Sequence, residues 1–215
     1  MSAPRVLPPA SGAWREGDPV GARRFADVGP VDLELGGHLE HVRVAYETWG
    51  TLDAERSNAV LVLHALTGDS HVVGSAGPGH PTPGWWDGLI GPGAAIDTDR
   101  WFVVAPNVLG GCGGSTGPSS IAPDGSAWGS RFPRVTIRDQ VRAEAALAQI
   151  LGIERWALMV GGSMGGMRSV EWAIMQPAAV ERLLLLATCA AASAEQIALC
   201  SIQVEAITAD PAWLG

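Results

Sequence analysis

The run Val160-Gly161-Gly162-Ser163-Met164-Gly165-Gly166 leaves the backbone few choices. An apolar stretch, Trp156 to Val160, leads into it, and a helix-like segment, Met167 to Gln176, follows and is closed by Pro177. A serine with glycine two places before it and two after, set between a strand and a helix, has the pattern of a nucleophile elbow. The reason is steric: the turn is so tight that side chains at the flanking positions would collide, and glycine has no Cβ. Ser163 would then stand at the tip with its hydroxyl exposed. The helix behind it would aim free N–H groups and its positive dipole end at charge building nearby, which suits acyl transfer. A plain flexible turn is the blander reading of the pentapeptide alone. The strand-to-helix placement favours the elbow. A phosphate-cradling loop would need Gly-Lys-Ser/Thr, and the chain has no lysine at all, its 14 basic residues all being arginine.

The same absence excludes lysine Schiff-base chemistry. At 215 residues and 47% hydrophobic, the chain suffices for one domain with a substantial core. Its net charge of −8 without a basic run argues against nucleic acid or an anionic membrane as partner. Cys112, Cys189 and Cys200 form no CxxC pair and no metal-ligand spacing, so no metal is expected and a reducing, cytoplasmic setting is the simplest. No apolar stretch reaches the roughly 20 residues of a spanning helix, and residues 1–17 read as a loose arm rather than a leader.

In chain order, Val31 to Leu35 and Leu39 to Thr48 read as two antiparallel strands joined at Gly36-Gly37. Val42, Val44 and Tyr46 alternate with Arg43, Ala45 and Glu47, as if one face were buried. Ala59 to Leu63 and Trp101 to Ala105 are solid apolar runs suited to a parallel sheet covered on both faces. Ser75 to Gly93 carries Trp85-Trp86 in a glycine- and proline-rich loop of the length that is usually functional. The pair would line a substrate passage or plug the core edge. Thr136 caps a helix over Ile137 to Leu151, with Asp139 in its first turn and Gly152 past its end. Arg182 to Ala187 is another strand of the buried type, and a helical pattern runs from Ala190 to Asp210. The alternation gives an α/β domain with a mainly parallel sheet.

A serine nucleophile needs a base and donors for the developing oxyanion. In the elbow layout one donor is the N–H of the following residue, Met164, and the other comes from the loop after an earlier strand, where Leu66 fits. His64 as the base runs against the chain order of such sites, serine then acid then histidine, and a structural role suits it better. His71 and His80 are loop histidines, and His38 and His41 are expected at the surface. All five histidines precede Ser163. The carboxylates that follow, Glu171, Glu181, Glu195, Glu205 and Asp210, read as helix or loop groups. Arg131, Arg134, Arg138 and Arg142 form a solvated face or steer an anionic substrate, and Cys112 reads as a small loop residue.

Five ordered blocks carry a resemblance. His64-Ala65-Leu66-Thr67-Gly68-Asp69, Gly84-Trp85-Trp86, Asn107 to Cys112 with Gly114 to Pro118, Arg131-Phe132-Pro133 with Thr136 to Asp139, and Gly161 to Gly166 resemble the homoserine O-acetyltransferases of the α/β-hydrolase superfamily. The resemblance implies an α/β-hydrolase fold, mostly parallel with antiparallel N-terminal strands, lacking its last strands and most of the lid. It divides the chain into an N-terminal arm (1–30), an incomplete core (31–190) and the start of a helical lid and dimerisation region (191–215). It implies acetyl transfer from acetyl-CoA, a co-substrate rather than a bound cofactor, to Ser163 and then to the hydroxyl of L-homoserine in methionine biosynthesis. Leu66 and Met164 would form the oxyanion hole, and the longer protein would be a cytoplasmic homodimer. The family's catalytic aspartate and histidine have no counterpart here, so this chain alone is expected to be inactive. Homoserine or serine O-succinyltransferase, an esterase of the same fold and a non-catalytic remnant are the alternatives.

Overall fold

A computed structural model describes residues 12–211. Its strands are β1 (Arg24–Asp32), β2 (His38–Trp49), β3 (Ala59–Leu63), the short β4 (Ile90–Gly91) and β5 (Ile96–Asp97), and β6 (Phe102–Pro106). They are followed by helix α1 (Ile137–Leu151), β7 (Leu158–Gly162), α2 (Met164–Met175), β8 (Leu183–Leu186) and α3 (Ala194–Thr208). The main sheet runs β1-β2-β6-β3-β7-β8, with β4 and β5 forming a separate pair. β1, β2 and β6 are joined antiparallel, whereas β6, β3, β7 and β8 are mutually parallel. This is the expected α/β-hydrolase arrangement.

Every residue of β3 is buried, because helices and loops cover both faces of the parallel strands. α1 begins and ends where its caps dictate. The Thr136 side chain and Asp139 form a reciprocal capping box, and Gly152 closes the helix at φ 69°. Its inner face, Val141, Ala145 and Ala148, joins Trp156, Met159 and Trp172 in the larger core. The smaller core, on Val60, Val62, Val103 and Val160, is closed by Trp86. Trp86 is therefore the plug, while Trp85 stays 37% exposed and donates its indole N–H to the Asp69 carbonyl.

Three elements differ from expectation. The first strand lies at Arg24–Asp32, starting ahead of Val31 to Leu35 and falling mostly within the segment read as an arm. Leu33 to Gly37 folds into a turn, with the Leu33 N–H donating to Gly37 and the Gly36 N–H to Leu33. The alternation in β1 was hard to see because register irregularities at Asp27/Gly29 and Gly29/Val31 break its period. In β2 the second face is buried too: Ala45 and Glu47 lie at 0% and 1% exposure, covered by the chain around Ser70 and Ser115.

At the other edge, Leu183 to Leu186, read as a buried-type strand, are instead 37–46% exposed because, among the described residues, β8 pairs with β7 alone, and α3 carries Ile197, Leu199, Ile202, Val204 and Ile207 at 55–62% exposure. α3 forms because Ser193 and Gln196 make a capping box. Its apolar residues point to every side, and none of its residues is buried. No helix among the described residues is long and apolar enough to cross a membrane.

Candidate active site

The parallel pairing of Leu63 with Gly161 brings the carboxyl ends of β3 and β7 side by side. β7 ends at Gly162 and α2 starts at Met164, leaving Ser163 as the whole turn. Ser163 is exposed and adopts φ 53°, ψ −120°, a conformation that L side chains rarely take. The two glycines make it possible. A Cβ on Gly161 would run into the Gly165 carbonyl, and one on Gly165 would strike the carbonyl oxygen of Leu63. The turn is also gripped by its own backbone: the Ser163 N–H donates to Leu186, the Met167 N–H donates to Ser163, and the Thr188 hydroxyl donates to the Ser163 carbonyl at 2.7 Å. The Ser163 hydroxyl caps nothing in α2. Met164, the first residue of α2, has its N–H at the open amino end of that helix, where no intrahelical acceptor exists.

Leu66 lies just past β3, in a turn closed by the Gly68 N–H donating to Ala65 at 3.0 Å, and its side chain is 75% exposed. His64 is buried. Desolvation, with the neighbouring Arg168 cation, pushes its pKa down to about 3, so the ring is neutral. Its Nε2 accepts from the Val108 N–H at 3.1 Å, and its Nδ1 lies 2.6 Å from the Ala65 carbonyl. Both ring nitrogens are thus occupied, and neither is left to act as a base.

Arg168 is the residue that sequence reasoning missed. Fully buried on α2, it donates to the His64 carbonyl at 2.6 Å and to Glu144 of α1 at 2.5 Å. The Trp172 indole takes the other Glu144 oxygen at 2.9 Å. The available signal was the helical spacing of Arg168 and Trp172, four apart and facing inward with Gly165; their partner, Glu144, is 24 residues away from Arg168. A cleft of about 1020 Å³ opens beside the loop that follows β3, lined by Leu66, His64, Cys112, Trp14, Arg43 and Ile121 among others, with Ser163 outside that lining.

Among the described residues, Glu47, His71 and His80 are the only such group whose possible metal-ligand atoms converge, within 4.8 Å of one another. Its geometry favours hydrogen bonds. The two rings stack at 3.7 Å and 12°, so their in-plane lone pairs run side by side rather than towards one point. Glu47 accepts from Ser70 and contacts His71, while His80 Nε2 accepts from the Ala22 N–H. Three of the four arginines around the start of α1 are paired: Arg131 with Asp124, Arg138 with Glu34 and Glu171, and Arg142 with Asp139. His38 and His41 are exposed, as expected, and so is Cys112.

The model of the alpha/beta hydrolase fold family matches residues 58–213. The chain is 68% identical over 208 residues to a homoserine O-acetyltransferase of Thermobifida fusca, covering 96% of this chain and 55% of that protein. It therefore spans about half the length of the curated relatives it matches. Among solved structures it superimposes on homoserine O-acetyltransferase from Bacillus anthracis with a TM-score of 0.81 at 34% identity, covering 89% of this chain and 53% of that one. Esterase E22 gives 0.83 at 36% identity, with 89% and 54% covered. With the strand order, the strained serine between two obligatory glycines and these likenesses together, the chain belongs to the alpha/beta hydrolase fold family.

Proposed function

We propose that this chain is the nucleophile-bearing portion of a homoserine O-acetyltransferase. The observation that carries the proposal is Ser163, exposed and strained at the β7–α2 corner, in a chain 68% identical to such an enzyme. In this reading the Ser163 hydroxyl loses its proton to a base and attacks the thioester carbonyl of acetyl-CoA. The N–H groups of Leu66 and Met164 receive the negative charge of the tetrahedral species. The CoA sulfur leaves and takes up a proton, giving acetyl-Ser163. The hydroxyl of L-homoserine then attacks this ester, a proton passes to the base and back to Ser163 Oγ, and acetyl-homoserine departs. Acetyl-CoA is a co-substrate and no resident cofactor is needed. A cytoplasmic homodimer acting in methionine biosynthesis belongs to the same proposal.

The acid and base are assigned to the part of such proteins beyond the span matched here, since no histidine follows Ser163 in these 215 residues. The test compares this polypeptide with a longer protein carrying the same segment together with that later part. The longer protein forms acetyl-homoserine from acetyl-CoA and loses this with Ser163→Ala. The 215-residue polypeptide, without a base, falls short by a factor on the order of 10⁶. Transfer at an ordinary enzyme rate by the 215 residues alone refutes the assignment. Faster turnover with succinyl-CoA would change the donor.

The likeness to esterase E22 supports a second reading, in which water takes the acyl group. Hydrolysis of a simple acetyl ester by the longer protein, indifferent to CoA and to homoserine, would favour it.

A further inference from the structure

Two successive carbonyls at the end of β3 are held by side chains. The His64 carbonyl takes a hydrogen bond from Arg168, and the Ala65 carbonyl faces the His64 ring. A backbone N–H only donates, so the Val108 N–H at 3.1 Å requires a bare lone pair on His64 Nε2. In a neutral imidazole the hydrogen then sits on Nδ1 and is donated to the Ala65 carbonyl at 2.6 Å. The Ala65–Leu66 peptide is trans. In a planar trans unit the N–H points opposite to the C=O. Fixing the Ala65 carbonyl against the buried ring therefore turns the Leu66 N–H away from the core, and no described residue accepts from it. Gly165 packs directly on the carbonyls of Leu63 and His64, so this loop and the Ser163 turn share one contact.

We propose that His64 is a positioning residue for acyl transfer: its Nδ1–H tautomer, set by the Val108 amide, locks the Ala65–Leu66 peptide with the Leu66 N–H facing the space beside Ser163. The proposal rests on the reading of Leu66 as an oxyanion donor. It explains why a histidine so near the nucleophile serves without touching a proton of the reaction.

Two measurements on the 215-residue chain test it. In the first, ¹⁵N spectra of the imidazole report its tautomer. Hydrogen on Nδ1 with Nε2 bare is expected, and the reverse tautomer overturns the proposal. The second is the rate at which Ser163 is phosphonylated by a fluorophosphonate, read by intact mass with Ser163→Ala as background. It draws on the part of serine reactivity that survives loss of a triad base, which comes from the oxyanion site. Leu66→Pro deletes the N–H, together with an exposed side chain, at a turn position where proline is favoured, and is expected to slow labelling about 10²–10³-fold. His64→Leu, which leaves the Ala65 carbonyl held by the Gly68 N–H alone, should slow it by at least about tenfold. His64→Asn, with an N–H donor at the δ position, should restore most of the rate. His64→Leu labelling at the wild-type rate overturns the proposal. If His64→Leu does not fold, a failure of His64→Asn to hold the rate does so instead. Wild-type speed in Leu66→Pro sinks the oxyanion reading beneath it, leaving the tautomer result standing. Wild-type labelling no faster than Ser163→Ala, when repeated in the longer protein that carries the base, sinks the nucleophile reading and the positioning role with it.

Discussion

Replacing Arg168 by methionine separates what the buried ion pair contributes from what the hydrophobic core contributes. Arg168 and Glu144 have side-chain exposures of 0% and 2% and meet at 2.5 Å. Removing the guanidinium leaves the Glu144 carboxylate in the core with only the Trp172 indole as donor, and strips the His64 carbonyl of its donor. Breaking such a pair from one side costs about 3–5 kcal/mol, because a buried charge loses its compensation. For a domain of this size each kcal/mol moves Tm by about 2–4 °C, so Arg168→Met should melt about 6–20 °C lower. Adding Glu144→Gln removes the stranded charge while keeping an acceptor for Trp172, and should recover more than half of the loss. Thermal melts followed by circular dichroism, with chemical denaturation as a check, measure all three variants at neutral pH. A single mutant within about 1 kcal/mol of wild type, or a double mutant no better than the single, refutes the claim that uncompensated charge is the dominant cost.

Other outcomes follow from the same packing. Gly165→Ala puts a methyl against the Leu63 carbonyl and should cost at least about 1–3 kcal/mol by overpacking, with Ser163 labelling falling alongside; an unchanged melt would show that the corner has slack. His64 is neutral in the fold and its folded pKa, about 3, lies below the ordinary 6.5. Its contribution is therefore complete above about pH 6.5 and is lost as the pH falls towards 3, when the unfolded chain binds the proton and the folded chain does not. The stability of wild type relative to His64→Asn should be level at pH 7–8 and decline on acidification; a level difference down to pH 4 contradicts this. Light scattering should find the 215-residue polypeptide associating as its concentration rises, through the exposed border Leu183 to Leu186, and Leu184→Lys with Leu186→Lys should suppress it. A monomer at all concentrations counts against that border.

What the sequence disclosed follows the range of the forces involved. The caps of α1, Thr136 and Gly152, and the glycines around Ser163 act within a few residues, so their chemistry is written in adjacent letters. β3 was equally plain, since a strand covered on both faces needs only a continuous apolar run. β1 was misplaced because its irregular register hides the alternation that marks a strand. Glu47, His71 and His80 lie on different parts of the chain and meet only once β2 and the loop after β3 are assembled. The same holds for Glu144 and Arg168, whose partnership depends on the packing of α1 on α2. Leu66 and Met164 could be singled out because their proposed role belongs to backbone amides at positions fixed by topology. The tautomer of His64 could not, because it depends on an amide 44 residues away.

The backbone of Ser163 is fastened on both sides by the stretch leaving β8: its amide to Leu186 and its carbonyl to the Thr188 hydroxyl. A strained corner of the molecule thus leans on an open edge of its sheet. Fraying of that outer ribbon would loosen the hydroxyl long before the central strands gave way, and anything laid along the ribbon would steady it from a distance without approaching the cleft.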